Sequence, residues 1–156
     1  MEVRIRPGTK QDQAIIWQAT METVWNDIPA EERVGMDRKE FEAHFRPRAQ
    51  RIIESPENAV LVAERTDGPT VGYAIVGRAT SMLGPEPFGF VYDIWVASEV
   101  RRQGVARQLM DEAAEWCRRR GLHRLRLEVG AGNAPARRLY TALGFAEERI
   151  HMGRRV

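Results

Sequence analysis

Residues 94–106 carry the most informative pattern in this chain, in which an apolar strand leads through a short loop into a helix: IWVASEVRRQGVA. The strand is predicted to end at Ala97 and the helix to begin near Gly104. A helix N-terminus exposes unpaired backbone N–H groups and partial positive charge, so it is a ready site for an anion. Because Gly104 has no Cβ, a phosphate can approach the backbone closely there.

Fixed positive charge surrounds this helix start, since Arg101, Arg102 and Arg107 flank it. The pattern therefore predicts a diphosphate that is held chiefly by main-chain donors. Two common diphosphate motifs are excluded. The chain has no Gly-Lys pair for a Walker loop, and the glycines at 130 and 132 are followed by Pro135, where a dinucleotide fingerprint needs a third glycine.

Composition favours one domain that spans residues 1–156. The formal net charge is only +2, which gives no argument for nucleic-acid binding, although all of the 24 basic residues except Lys10 and Lys39 are arginine. The single cysteine, Cys117, excludes an internal disulfide and fits a reducing cytoplasm. No apolar run approaches about 18 residues, and the N-terminus lacks the apolar segment of a secretory signal. We therefore expect a cytoplasmic protein without a membrane span.

Periodicity and turn residues predict the element order β-α-α-β-β-β-α-β-α-β. Antiparallel strands come first and a strand–helix–strand crossover comes late, which indicates one mixed sheet with helices on both faces. Loops are expected at residues 26–36, 67–69 and 81–87, and Pro47 is expected to kink or break the second helix. The predicted strands cover residues 3–6, 59–64, 70–80, 88–97, 124–129 and a segment from Phe145 onward, and the predicted helices cover residues 9–25, 37–54, 104–120 and 133–143.

Residues 90–145 resemble the GNAT superfamily of N-acetyltransferases. The loop at 101–106 matches the R/Q-x-x-G-x-G/A signature of that superfamily, with Ala in the last place, and it follows the strand Ile94-Trp95-Val96. A second signature is matched by the segment that contains Leu-Glu-Val at 127–129, Asn-Ala-Pro-Ala-Arg-Arg-Leu-Tyr at 133–140 and Leu-Gly-Phe at 143–145. Two motifs in this order and at this separation are more specific than either alone. The first 85 residues match only in the order of their elements.

The resemblance implies a single-domain α/β fold, with a mixed sheet of roughly six to seven strands flanked by about four helices. In that fold the strands at 88–97 and 124–129 splay apart around coenzyme A. The strand main chain would contact the pantetheine arm, the loop would hold the pyrophosphate, and the second signature would lie across the thiol. The resemblance thus places acetyl-CoA, as co-substrate, against Ile94, Val96, Arg101, Arg102, Gln103, Gly104, Val105, Ala106, Arg107, Asn133 and Arg137.

Acyl transfer from a thioester to an amine needs a base for the ammonium proton, a donor for the developing oxyanion and an acid for the leaving thiolate. By resemblance, Tyr140 is the candidate acid. Glu128 and Asp93 are both candidate bases, and Glu128 is favoured because Leu-Glu-Val followed by Asn resembles the ribosomal-protein N-terminal acetyltransferase subgroup. The alternative for Glu128 is an ion pair with Arg124 or Arg126, which are its neighbours in sequence.

Three classes of function compete. The first is an N-acetyltransferase that acts on a primary amine of a small molecule or peptide by direct attack in a ternary complex. The second is a non-catalytic acyl-CoA-binding or sensing module on the same fold, which the presence of Tyr140, Glu128 and Asp93 disfavours. The third, an arginine-rich nucleic-acid binder, has no supporting motif. We expect no metal site, since the three histidines lack ligand spacing, and a homodimer is compatible with the sequence.

The acceptor pocket is expected to be walled by residues 26–36 and by the helix at 37–54. Carboxylates at Asp93 and Glu128 would suit a cationic amine. A polyamine, an antibiotic, an amino acid and a peptide N-terminus are all compatible with this expectation.

Overall fold

A computed structural model of the chain describes residues 2–66 and 68–156. Five strands form one mixed sheet, in which neighbours from the first to the fourth are antiparallel and the last two are parallel. The parallel pair is the predicted late crossover. In sheet order, which is also chain order, the strands are β1 (Val3–Pro7), β2 (Ala59–Arg65), β3 (Thr70–Ser81), β4 (Gly84–Val96) and β5 (Leu125–Leu127).

Helices cover both faces of the sheet, as predicted. They are α1 (Gln13–Asp27), α2 (Ala30–Arg33), α3 (Arg38–Glu54), α4 (Val105–Arg118) and α5 (Ala134–Ala142). On one face, Ile16 of α1 and Ile52 of α3 pack in the cluster that contains Tyr73. On the other face, the apolar stripe of α4 buries Leu109 completely, at 0% exposure. None of the helices in the described ranges is long and apolar enough to cross a bilayer.

A β-bulge interrupts β4 at Tyr92. On β3, Val76 pairs with Val91 and Ile75 pairs with Asp93, so Tyr92 is an extra residue without a partner in this ladder. On its other side, β4 pairs with β5 only as far as Val91. A bulge bends its strand and increases the local twist. β4 therefore leaves β5 at the bulge, which is where the family resemblance places the splay between these two strands.

The predicted sheet of six to seven strands is not confirmed, since the described residues form five. Residues 145–156, which we expected to return as a final strand, form neither helix nor strand. Side chains hold this segment instead, because Glu148 pairs with Arg124 at 2.8 Å and with Arg126 at 2.6 Å. Further along, Ile150 is 76% exposed. The register of a strand is specified where one of its faces is apolar and buried. This segment buries no apolar face beyond its first residues, so nothing fixes it as a strand of the sheet.

Other element bounds also differ from the predictions. β5 ends at Leu127, two residues early, and the predicted loop at 81–87 is instead a tight hairpin in which Ser81 pairs with Gly84. β4 tolerates prolines at 85 and 87 because that stretch has no partner on the side where β5 joins later. α3 runs through Pro47 without a break. The proline leaves the Ala43 carbonyl without its helical donor, and Ala43 is exposed to water.

The predicted turn at residues 67–69 lies partly outside the described residues, because Asp67 is not among them. Its last residue, Pro69, accepts a backbone hydrogen bond from Arg65 at 3.2 Å. This contact joins the end of β2 to the approach to β3, as the predicted hairpin requires.

One buried carboxylate fixes where α1 begins. Asp12 is 4% exposed and accepts hydrogen bonds from both terminal nitrogens of the Arg6 guanidinium, at 2.8 and 2.9 Å. Thr9 and Thr70 donate to the same carboxylate, at 2.8 and 3.0 Å, so that β1, α1 and β3 meet there. The Arg6 hydrogen bonds hold the pKa of Asp12 well below its usual range. The position of α1 over the sheet is set by this ion pair.

The pairing of β4 with β5 depends on close packing at Gly89. A Cβ at this position would lie 2.1 Å from Cys117 Sγ and 3.2 Å from Leu125 Cδ1. We expect Gly89→Ala to lower the free energy of unfolding by about 1–3 kcal/mol through overpacking. Gly84→Ala is the matched control, since a Cβ at Gly84 on the same strand meets nothing within 4 Å. Denaturant unfolding compares the two variants, and equal losses would contradict the packing argument.

Candidate active site

A cleft of about 310 Å³ opens where β4 and β5 part. Its walls come from the C-terminal end of α1, the second half of β4, the end of β5 and one face of α5. Five of the predicted site residues meet there, namely Asp93, Ile94, Glu128, Asn133 and Tyr140. The other lining residues are Thr23, Val24, Asp27, Ile28, Val91, Tyr92, Leu127, Val129 and Ala136.

β4 presents free backbone groups to this cleft. The Ala97 N–H donates to the Val71 carbonyl at 2.9 Å, so the backbone of Ala97 faces β3. Backbone polar groups alternate between the two edges of a strand, so those of Val96 and Ile94 face away from β3. β5 ends at Leu127 and does not reach them. The Ile94 carbonyl and the Val96 N–H are therefore available for the predicted main-chain contacts to an extended ligand, whereas the Val96 carbonyl already accepts from Arg101 Nε at 3.0 Å.

The loop before α4 contains two residues in the left-handed region, Arg102 with a φ of 60° and Gly104 with a φ of 85°. A non-glycine residue in this region is uncommon, and such backbone strain clusters at ligand-binding loops. A Cβ on Gly104 would meet nothing within 4 Å, so the space at the helix start is open. The first helical bond of α4 runs from Gln108 N–H to the Gly104 carbonyl at 3.1 Å. The N–H groups of residues 105–107 are thus free of helical partners.

Side chains of this loop divide into two sets. Arg101 Nε donates to the Val96 carbonyl at 3.0 Å, and Gln103 Nε2 donates to the Glu99 carbonyl at 3.2 Å. These two residues brace the loop against the end of β4. Arg102 and Arg107 are exposed, and their charges remain available beside the helix start. Val105 is buried and Ala106 is half-buried, so each can offer a ligand its main chain rather than its side chain.

The second signature forms one face of the cleft, from the end of β5 to Tyr140 on α5. Asn133 caps α5 by accepting a hydrogen bond from the Ala136 N–H at 3.3 Å. Tyr140 lies two turns further on the same face and packs edge-on against Phe145, with ring centroids 5.9 Å apart. Arg137 faces elsewhere, since its guanidinium donates to the Ala131 carbonyl at 3.2 Å and to Glu147. Arg137 does not line the cleft in this arrangement.

Tyr140 is half-buried in the cleft wall. Burial raises its pKa to about 12, with further contributions from the negative charges of Asp93 and Asp27. Within the described residues its hydroxyl has no hydrogen-bond partner. Tyr140 therefore keeps its proton at neutral pH and has an uncommitted donor on the cleft side.

Asp93 is held by two hydroxyl groups. Tyr73 OH donates to Asp93 Oδ2 at 2.6 Å, and Thr20 Oγ1 donates to the same oxygen at 2.8 Å. Burial raises the pKa of Asp93 above its ordinary value, while the two hydroxyl donors and the backbone N–H of Ile94 act against this rise. Burial, together with the Asp93 charge, raises the pKa of Tyr73 well above its usual range. Asp93 is thus a carboxyl whose proton affinity is increased by its surroundings.

Glu128 is exposed and lines the cleft at the end of β5. The alternative that it pairs with Arg124 or Arg126 does not apply, because both arginines pair with Glu148 at 2.8 and 2.6 Å. The Glu128 carboxylate is therefore left to face the cleft.

Sequence reasoning missed three site residues, Thr20, Tyr73 and Asp27. The only local signal for Thr20 was a hydroxyl in the apolar stripe of α1. For Tyr73, the alternation along β3 predicts correctly which face of the sheet its side chain lies on. Asp93 lies on that same face only because the bulge at Tyr92 shifts the register of β4 by one residue. Asp27 can approach the backbone at position 130 because this residue is glycine, and a Cβ there would lie 2.8 Å from Asp27 Oδ1. Of the predicted acceptor walls, residues 26–36 supply only Asp27 and Ile28, and α3 supplies none.

Residues 17–145 match the model of the acetyltransferase (GNAT) family. The chain belongs to this family. This acetyltransferase is 35% identical to the aminoglycoside N(6')-acetyltransferase type 1 of Serratia marcescens over 109 residues, which are 67% of this chain and 75% of that enzyme. The predicted N-acetyltransferase activity is thereby confirmed, and the alternative of a non-catalytic acyl-CoA-binding module is not favoured.

Two solved structures share the whole fold of this acetyltransferase. A proposed acetyl transferase from Pyrococcus furiosus superposes with a TM-score of 0.85 at 21% identity, covering 99% of this chain and 100% of the other. AAC(6')-Iy in complex with the bisubstrate analogue CoA-S-monomethyl-acetylneamine superposes with a TM-score of 0.71 at 21% identity, covering 100% of this chain and 99% of the other. The similarity at this level of identity establishes the α/β GNAT fold.

The glycine at the start of α4 gives a test of the predicted phosphate loop. We expect Gly104→Leu to weaken coenzyme A binding at least roughly tenfold, because a side chain would occupy the open space beside the helix N-terminus. Gly121→Leu is the matched control at the other end of α4, since Gly121 also has a positive φ, of 68°, and open space around it. Both variants carry similar backbone strain. Calorimetric titration with coenzyme A separates them, and equal affinity in both would refute the loop assignment.

Proposed function

We propose that this acetyltransferase transfers the acetyl group of acetyl-CoA to a primary amine of a cationic small molecule, by direct attack in a ternary complex. The observation that carries this proposal is the charge of the cleft. Asp27, Asp93 and Glu128 line it, and within residues 2–66 and 68–156 no Lys, Arg or His does so. A concave site with a single sign of charge concentrates ligands of the opposite sign.

We assign acetyl-CoA to the edge of β4 and the start of α4. The Ile94 carbonyl and the Val96 N–H suit the amides of a pantetheine arm, one as acceptor and one as donor. The unpaired N–H groups of residues 105–107, with Arg102 and Arg107 beside them, suit a pyrophosphate. Asn133 lies across the cleft from β4 and would contact the far side of the arm. The Val96 N–H is the donor that we assign to the developing oxyanion.

Proton removal from the acceptor is assigned to Asp93. An alkylammonium has a pKa of about 10, so the attacking amine must first lose a proton. A base with raised proton affinity is better matched to this task than an ordinary carboxylate, and Asp93 is the cleft carboxyl whose pKa burial raises. The exposed Glu128 and the nearby Asp27 would attract and orient the ammonium group.

Tyr140 is assigned as the acid. As the amine nitrogen forms its bond to the acetyl carbon, the carbon–sulfur bond breaks and its electron pair moves to sulfur. The Tyr140 hydroxyl, protonated at neutral pH and without another partner, would donate its hydrogen to that sulfur. The nitrogen, which carries one surplus proton after the attack, releases it to water as the amide forms, and the Tyr140 phenolate takes up a proton from water. No covalent intermediate on the enzyme is required when both substrates are held together.

The acceptor that suits this cleft carries several ammonium groups. The relative from Serratia marcescens is an aminoglycoside N(6')-acetyltransferase, and aminoglycosides are polycations with primary amines. We propose a polycationic amine of this chemical class as the acceptor. A peptide N-terminus carries a single ammonium group and uses less of the negative charge that lines the cleft.

Tyr140→Phe tests the acid. Removing the hydroxyl deprives the leaving thiolate of its donor while the ring and its packing against Phe145 are kept. We expect kcat to fall roughly a hundredfold, with little change in Kd for acetyl-CoA. Steady-state kinetics and calorimetry give the two quantities. A wild-type kcat would remove Tyr140 from the reaction, and a loss confined to Kd would make it a binding residue.

The charge of the cleft is tested with Glu128→Gln and a panel of amines. For acceptors with two or more ammonium groups we expect KM to rise roughly two- to fivefold, which corresponds to the loss of an exposed ion pair worth up to about 1 kcal/mol. A monoamine should be affected less. Glu86→Gln is the control, because it removes the same charge from the exposed opposite end of β4. Equal effects on mono- and polyamines would argue against a polycationic acceptor.

A further inference from the structure

Three oxygen atoms from α1, β3 and β4 form a closed triangle behind the cleft. Tyr73 OH lies 2.6 Å from Asp93 Oδ2, Thr20 Oγ1 lies 2.8 Å from the same atom, and the two hydroxyl oxygens lie 2.8 Å apart. Thr20 is 4% exposed and Tyr73 is 0% exposed. Buried polar groups on three separate elements are thus brought into contact with one another and with one carboxyl oxygen.

The number of protons in this triangle sets which hydrogen bonds Asp93 can form in each of its charge states. When Asp93 is ionised, the two hydroxyls supply two protons, and Asp93 Oδ2 can accept from both of them. When Asp93 is protonated on this oxygen, three protons serve three contacts, and each oxygen donates once and accepts once. In the ionised state the contact between Thr20 Oγ1 and Tyr73 OH holds no hydrogen, because both hydroxyl protons point at Asp93. The cluster therefore offers Asp93 two donors when it is ionised and one donor with one acceptor when it is protonated.

Asp93 depends on these two hydroxyl groups because its other surroundings disfavour the ionised form. Among the described residues that line the cleft, none is a Lys, Arg or His, so the cleft wall gives the ionised form no positive partner. A buried carboxylate without donors would remain protonated and could not act as a base. The titratable groups that face the cleft with Asp93 come from α1, β4, β5 and α5, and they are Asp27, Tyr92, Glu128 and Tyr140. All of these are acidic groups, and each disfavours a second negative charge when it is ionised.

We propose that Tyr73 and Thr20 are positioning residues that hold Asp93 Oδ2 and allow Asp93 to take a proton from the acceptor ammonium and release it again. This inference rests on the assignment of Asp93 as the base in the proposed function. In the step itself, an ammonium N–H bond breaks and its electron pair stays on nitrogen, while an O–H bond forms on the Asp93 carboxylate. The neutral amine is then free to attack the acetyl carbon, and the proton later leaves to water.

Thr20 offers a matched pair of substitutions. Thr20→Val keeps the shape of the side chain and removes the hydroxyl, whereas Thr20→Ser keeps the hydroxyl and removes a methyl group. Tyr73→Phe removes the second donor. Loss of one donor to the ionised form should raise the pKa of Asp93, so the acid limb of the kcat/KM profile should move to higher pH. We expect a shift of about one pH unit in Thr20→Val and in Tyr73→Phe, because each substitution removes one hydrogen bond to the charged form of Asp93. Thr20→Ser should keep the wild-type profile.

The experiment records pH–rate profiles of these variants with one polyamine acceptor, so that the titration of the amine itself is common to all of them. Asp93→Asn is measured alongside. If Asp93→Asn keeps the wild-type rate, the base assignment in the proposed function fails. If Asp93→Asn is inactive while the acid limb of the kcat/KM profile stays at the wild-type pH in Thr20→Val and Tyr73→Phe, only the positioning role is overturned. A fall in melting temperature in both Thr20 variants, without a shift in the limb of Thr20→Val, would likewise overturn it.

A spectroscopic readout covers the case in which a variant is too slow for kinetics. The carbonyl stretch of a protonated carboxyl is separate from the carboxylate bands, and the difference between wild type and Asp93→Asn isolates the signal of Asp93. The midpoint of its titration should rise in Thr20→Val and stay at the wild-type value in Thr20→Ser. An equal midpoint in all three folded proteins would contradict the proposal independently of activity.

Discussion

The parting of β4 from β5 is the constraint on which the rest of the site depends. The two strands share backbone hydrogen bonds only up to Val91, and the bulge at Tyr92 then bends β4 away. Without the bulge, the edge of β4 beyond Val91 would remain in line with β5. With it, the Ile94 carbonyl and the Val96 N–H are left for a ligand, and the Asp93 side chain is directed between β3 and α1. The extra residue, Tyr92, thus both exposes the edge of β4 and orients Asp93.

The cleft also depends on helices that are fixed from outside it. The Arg6–Asp12 ion pair ties the start of α1 to β1, and Thr20 lies two turns further along the same helix. The hydrogen bonds between Thr20, Tyr73 and Asp93 then join this helix to the two central strands. Buried polar contacts of this kind are unfavourable when they are only partly satisfied, so they restrict how α1 can lie on the sheet. The geometry around Asp93 is in this way linked to a salt bridge on the first strand.

Much of the chain could be predicted because its strongest signals are local. The amphipathic stripe of α4, the glycine at its start and the Asn cap of α5 are all set by residues close in sequence. The final strand could not be predicted reliably from Phe145 onward, because the residues that follow bury no continuous apolar face and their register had no local determinant. Arg137 illustrates what its motif does not encode. The motif position predicts a cofactor contact, whereas the hydrogen bond between its guanidinium and Glu147, ten residues away, becomes visible only in the structure.

The sequence by itself determined the family, the class of reaction and the loop that starts α4, since two motifs of adjacent residues carry that information. It also supplied Tyr140, Glu128 and Asp93 as candidates for acid and base, with Glu128 ahead of Asp93. Only the tertiary structure decided how the carboxyls differ, because burial and hydrogen bonding depend on residues that are far apart in sequence. Thr20 and Tyr73 are 53 positions apart and meet on the same oxygen of Asp93. No local sequence pattern predicts these contacts. They form because α1 packs across the sheet and because the pairing of β3 with β4 is shifted by one residue at the bulge.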